Sequence, residues 1–170
     1  IREVLSQALN GGTTGGGLVE RCRVTADNHR NRLPAGIEPA ALELVNGHRE
    51  RGDLLCLVTA TNDFVTAPIA AAFGIEHLIA VRLERTPGGT ITGVIEGTPS
   101  YREGKVARVG EWLQGMDRDW DDFESITVYS DSPNDLPLLE RADHPVATNP
   151  SPALEALARE RHWRILRLFD

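Results

Sequence analysis

The run LLCLVT, Leu54 to Thr59, limits what this chain can fold into more than any other stretch. It is apolar on every side until its last residue, and it is too short for a helix that hides a full turn on all faces. Such a run reads as a strand buried on both faces of a parallel sheet, which requires helices above and below it. Its neighbours supply them. Upstream, IEPAALELVNGHRERGD carries a one-sided helical stripe at Ile37, Ala41, Leu44, Val45 and His48 that closes at Gly52. Downstream, a helix FVTAPIAAAF stopped by Gly74 precedes a strand HLIAVRLE, and RTPGGTITGVIEG forms a hairpin with Gly88 and Gly89 at its turn. Helix KVARVGEWL, strand SITVYS, helix LPLLE, strand PVATN, helix PALEALARER and strand WRILRLF complete the chain. Alternation from residue 37 to the end predicts an α/β fold: a doubly wound, Rossmann-like parallel sheet with a small β-hairpin.

The first 35 residues differ in character. Residues 2–9 read as a short helix, Gly11 to Gly17 (GGTTGGG) as a flexible connector, and Leu18 to Leu33 as a polar helix. A phosphate-binding loop is excluded at the glycines, because no strand precedes them and no Gly-Lys-Ser/Thr ends them. Composition narrows the function. A net charge of -7 disfavours nucleic acid and anionic membranes as partners, and no apolar run reaches the roughly 20 residues that span a bilayer. A cytoplasmic protein is expected. Cys56 reads as a core residue, Cys22 is unplaced, and neither has a CxxC partner. Trp112 and Trp163 are expected in the core, the scattered histidines bind no metal, and Arg51-Gly52-Asp53 is a helix-to-strand turn.

In a doubly wound sheet, ligands bind beyond the carboxyl ends of the strands. Thr59 and Asp131 fall there, and Lys105 begins a helix that can face the same crevice. In VYSDSPNDLPLLE the acids Asp131 and Asp135 bracket a strand-to-helix turn. With the amide oxygen of Asn134 they make a hard oxygen set suited to Mg2+. The same turn also reads as simple capping of the next helix by Ser132, Asn134 or Asp135. Lys105 reads either as a neutraliser of phosphate charge or as a solvated lysine. Thr59 reads as a phosphate donor or as a strand-terminal threonine bonded to the backbone.

Three stretches in this order, VTATNDFVTAPIAAAFGIEHLIA, GTPSYREGKVARVGEWL and YSDSPNDLPLLERADHPVATNPSP, resemble the haloacid dehalogenase-like phosphatases, in particular their phosphoserine-phosphatase-like branch. The resemblance runs from about residue 36 to the end. It implies a Mg2+-dependent phosphomonoester hydrolase acting on a small phosphorylated metabolite. Thr59, with Ala60 beside it, would contact the phosphoryl group. Lys105 would be the family's lysine, Asp131 a Mg2+ ligand, Asp135 a support for the metal's water shell and the lysine, and Asn134 a neighbour to both. The branch's division would make residues 1–35 a cap remnant and linker, and 36–170 the phosphatase core.

One element of the family pattern is missing. Its first motif, a strand ending in Asp-x-Asp-x-Thr/Val, carries the attacking aspartate and a second that serves as acid and base. Residues 1–53 contain only Asp27 and Asp53, and Asp117-Arg118-Asp119 reads as a loop rather than a strand end. That strand belongs in the middle of the sheet, so its loss would leave two buried strands without a neighbour. With Ile1 as first residue, the expectation is an inactive fragment whose nucleophile strand lies upstream. The alternative is a non-catalytic relative that binds a phosphorylated ligand or a protein. A phosphorelay receiver is disfavoured, since Val106 rather than Pro follows Lys105. Neither the substrate nor the oligomeric state is fixed by the sequence.

Overall fold

The computed structural model describes residues 5–6 and 37–168. In chain order these form β1 (Leu5–Ser6), α1 (Pro39–Glu50), β2 (Cys56–Asn62), α2 (Asp63–Ala72), β3 (His77–Arg85), β4 (Ile91–Glu96), α3 (Glu103–Gln114), β5 (Thr127–Ser130), α4 (Leu136–Leu139), β6 (His144–Thr148), α5 (Pro152–Glu160) and β7 (Arg164–Leu166). Single 3-10 turns at Trp120–Asp122 and Pro133–Asp135 flank β5. The glycine connector, the polar helix at 18–33, Cys22 and most of the proposed cap remnant lie outside the described residues.

The strands make two hydrogen-bonded ladders, β1-β2-β3-β4 and β5-β6-β7, which abut where β1 contacts β5. All pairings are parallel except the β3–β4 hairpin. Both faces are covered, as the run at 54–59 requires. Period-two alternation sends Cys56 and Val58 of β2 and Val128 of β5 to one face. There they pack with Val109 and Leu113 of α3, Leu138 and Leu139 of α4, and Leu154 of α5. Leu57 and Tyr129 point to the other face and meet Ala41 and Val45 of α1 and Phe73.

Local chemistry sets the ends. Pro39 occupies the first turn of α1, where its missing N–H costs nothing, and His48 and Arg49 complement the negative end of the helix. The Asn62 side chain accepts from the Val65 N–H to start α2. That helix ends at Gly74, whose φ of +64° favours a residue without Cβ.

One expectation needs correction. Residues 2–9 are not a helix where described: Leu5 and Ser6 form a strand, paired in parallel with Leu57 and Val58. The central slot between β2 and β5, expected to be empty, is therefore held at two positions by this short strand. The unpaired edges of the buried neighbours outweigh the helical preference of the local sequence. The hairpin forms as expected, with Arg85 opposite Ile91 and Ile91 half-buried. β4 is an edge strand, and Val94 and Ile95 stay exposed.

Candidate active site

Lys105, Ser130, Asp131 and Asp135 gather at the carboxyl end of β5, while Thr59 stands at the carboxyl end of β2. β2 follows the β3 ladder through Val58 and then shifts register until Asn62, so Thr59, Ala60 and Thr61 leave regular pairing. Such irregularities re-aim side chains beside functional sites. The Thr59 hydroxyl is fully buried and accepts from the Thr61 N–H at 3.0 Å, while Ala60 is exposed. For Thr59 this is the backbone-bonded reading, and it holds the hydroxyl in one orientation.

Lys105 lies in the first turn of α3 and is only 2% exposed. The solvated-lysine reading is excluded. Its Nζ sits 2.5 Å from Asp135 Oδ1, and Ser130 Oγ donates to Asp135 Oδ2 at 2.7 Å. Two things place Lys105 there. Arg102 precedes the helix at φ 49°, a conformation uncommon outside glycine. Gly104 lets the chain pass Pro99 so closely that a Cβ would stand 2.0 Å from its carbonyl oxygen. Strain and close approach thus concentrate in the residues just before the lysine.

The acidic turn both caps and does more. Ser132 accepts from the Asn134 N–H at 3.2 Å and caps the 3-10 turn. Asp135 makes no cap bond; its carboxylate goes to Lys105 and Ser130. Asp131 is half-buried, with no ion-pair partner among the described residues, and its backbone oxygen accepts from Ser151 N–H at 2.9 Å. Burial pushes its carboxyl above the ordinary range. The Asp135 charge adds to the rise, whereas its own backbone hydrogen bond and Lys105 oppose it. Asn134 is exposed and accepts from the Tyr101 hydroxyl at 3.3 Å, joining the loop before α3 to the turn.

The geometry therefore joins Lys105 to Asp135 directly and couples Asp131 to both through its electrostatics. Thr59 and Ala60 stand on β2, across β1 from β5, and share no side-chain hydrogen bond with them. Sequence reasoning missed Ser130 and Tyr101. Ser130 could have been found as a small polar residue ending a buried apolar strand beside an acid. Tyr101 carries no local signal, because its partner lies 33 residues away. Among the described residues no cluster of three or more His, Cys, Asp or Glu is placed to hold a metal, and no helix is long and apolar enough to cross a membrane.

The sequence matches the profile of the haloacid dehalogenase-like hydrolases over residues 6–140. It is 39% identical over 130 residues to a histidinol-phosphatase of Neisseria meningitidis serogroup C (strain 8013), covering 76% of this chain and 59% of that protein. A crystal structure of a protein of unknown function from Bordetella pertussis Tohama I superposes with a TM-score of 0.80 at 50% identity, over 89% of this chain and 67% of that one. A substrate-bound phosphoserine phosphatase shares the fold, with a TM-score of 0.66 at 15% identity over 97% of this chain and 91% of that one. The chain spans roughly 40–60% of the length of the first curated relatives it matches. With a profile match that crosses both the β2 and the acidic-turn segments, the chain belongs to the haloacid dehalogenase-like hydrolase family.

Proposed function

We propose that this chain is the core of a Mg2+-dependent phosphomonoester hydrolase acting on a small phosphorylated metabolite, with histidinol phosphate and phosphoserine the first esters to try. The observation that carries the reading is the buried Lys105–Asp135 pair beside Asp131. A cation held by a carboxylate away from water is an expensive arrangement, and it is useful where a dianion must be received. In this reading Lys105 neutralises a phosphoryl oxygen. The Thr59 hydroxyl, with the backbone of Ala60 beside it, orients that group, and Asn134 fixes the rim through Tyr101. Asp135 holds the ammonium in place.

The residues fit a hard divalent ion. Asp131 is a desolvated carboxylate whose charged form is disfavoured by burial and by a second acid, an environment that a cation relieves. Mg2+ takes few protein carboxylates and keeps waters and phosphate oxygens as its other ligands, so the lack of a three-ligand cluster is compatible with it. Asp131 would hold it directly. Asp135, with both oxygens already accepting, would support its water shell, and the ion would supply charge neutralisation at the phosphoryl group. Among the described residues, the buried Thr148 Oγ1 at the end of β6 has no partner and is available to a ligand or water at this edge.

The attacking aspartate is the missing part. The central strand carries Leu5 and Ser6, with no acid. We therefore expect the 170-residue chain alone to release no phosphate, and a form bearing an Asp-x-Asp strand in that slot to do so. The assay is phosphate release from both esters with Mg2+, with EDTA, and with Asp131→Asn. Release that survives EDTA and the substitution would refute the metal-dependent mechanism. That neither described residue of the central strand, Leu5 or Ser6, is an acid favours a second reading, a non-catalytic relative that binds phosphorylated ligands. It predicts Mg2+-dependent phosphate binding without turnover even when an Asp-x-Asp strand is supplied.

A further inference from the structure

The opposite edge of the sheet holds a second cavity of about 640 Å3, large enough for a metabolite. Its lining includes Thr127, His144 and Arg164, the first residues of β5, β6 and β7, so it opens at the amino ends of the strands. Asp131 lies about 13 Å further along β5 at the usual rise per residue. This cavity is distinct from the candidate active site.

Its polar groups are mostly cationic or imidazole. Arg51, Arg164, His48, His144 and His162 line it; Arg51 Nε and His48 Nδ1 already meet Asp53 Oδ2 at 3.1 and 2.9 Å, and the one lining carboxylate, Asp143, accepts from the Ile126 N–H at 2.8 Å. Basic residues near helix C-termini complement the helix dipole, and that accounts for His48, Arg51 and His162 at the ends of α1 and α5. It does not account for His144 and Arg164, which open strands. Both are exposed, and neither side chain has a hydrogen-bond or ion-pair partner among the described residues.

His162 closes α5. It has φ 57° where α5 ends, with the Trp163 N–H bonded back to Ala158 O. Glycine is the residue that a helix end of this shape favours, since a side chain there is strained. Its ring lines the same cavity as His144 and Arg164. The cavity floor is built, since His48 is 2% exposed and its Nε2 lies 2.8 Å from the Tyr129 hydroxyl.

We propose that this amino-edge cavity binds a small anion, a phosphate or carboxylate group, received by Arg164, His144 and His162. Inorganic phosphate is the probe, titrated with EDTA present into the 170-residue chain while the histidine ring resonances are followed by NMR. His77 packs on Trp112 elsewhere and serves as an internal control. The rings of His144 and His162 should shift saturably while His77 stays still. Arg164→Ala should weaken binding about tenfold, the loss expected for one charge-assisted contact. His162→Gly should raise the melting temperature and yet weaken binding, a combination that a purely structural histidine cannot produce. The proposal is overturned if no saturable shift occurs by about 50 mM, well past saturation of a ~1 mM site. It is equally overturned if Arg164→Ala and His162→Gly leave the titration unchanged.

Discussion

Replacing Lys105 by Met tests whether the ion pair at the candidate site is desolvated in solution as the structure has it. Lys105 and Asp135 are 2% and 3% exposed, and their charges stand 2.5 Å apart. At an effective dielectric of ~20 the gross attraction is about 7 kcal/mol, much of it offset by the cost of taking both ions out of water. Removing one partner from such a pair costs about 3–5 kcal/mol, because the other charge is left buried. Asp135 keeps the Ser130 hydroxyl at 2.7 Å, which places the expected loss near the lower bound, about 3 kcal/mol. For a domain of this size that lowers the melting temperature by roughly 6–12 °C. The measurement is urea unfolding followed by circular dichroism for the parent chain, Lys105→Met, Asp135→Leu and the double variant. The double variant should recover about 2 kcal/mol or more relative to the sum of the singles, since an apolar pair replaces a lone buried charge. Single losses under about 1 kcal/mol, adding without coupling, would show that water reaches the pair and would refute the reasoning.

Three further outcomes are expected. Gly104→Ala should destabilise by about 1–3 kcal/mol in urea unfolding and weaken phosphate binding, because its Cβ would meet the Pro99 carbonyl at 2.0 Å and push the start of α3, with Lys105, away. Unchanged stability would mean that the loop yields freely. Asp131→Asn should stabilise the metal-free chain at neutral pH while abolishing Mg2+ binding. The folded carboxyl titrates above its ordinary 3.8, so the native state holds the proton more tightly than the unfolded chain. Stability is then greatest below that value and falls as pH rises through the higher folded one, a decline that melting scans across pH should find flattened in the variant. Cys56 should resist alkylation in the native state, since burial pushes its thiol far up, and react only as the chain unfolds in urea. Peptide mapping that finds it modified in native buffer would contradict the burial.

The periodicities in the sequence determined the architecture. An apolar run of strand length at 54–59 has to be covered on both faces, and the alternation of Cys56, Leu57 and Val58 assigns each residue to its side without knowledge of the partners. The spacing of Asp131 and Asp135 around a turn likewise set two acids at a strand end. These are properties of neighbours in the chain. Only the tertiary structure decided what those groups do. Lys105 could equally have been solvated, and it is buried because Asp135, 30 positions away, offers a carboxylate that Ser130 holds in place. Tyr101 reaches Asn134 across 33 residues. Leu5 and Ser6 form a strand where helix was expected, since the open slot between β2 and β5 rewards backbone pairing more than local preference does. Ile91, Gly93 and Ile95 alternate along β4, yet Ile95 stays exposed, as does Val94 on the opposite face. Period is written in adjacent residues, whereas burial of a charge and pairing of an edge depend on which distant segments arrive beside it, and no local pattern carries that information.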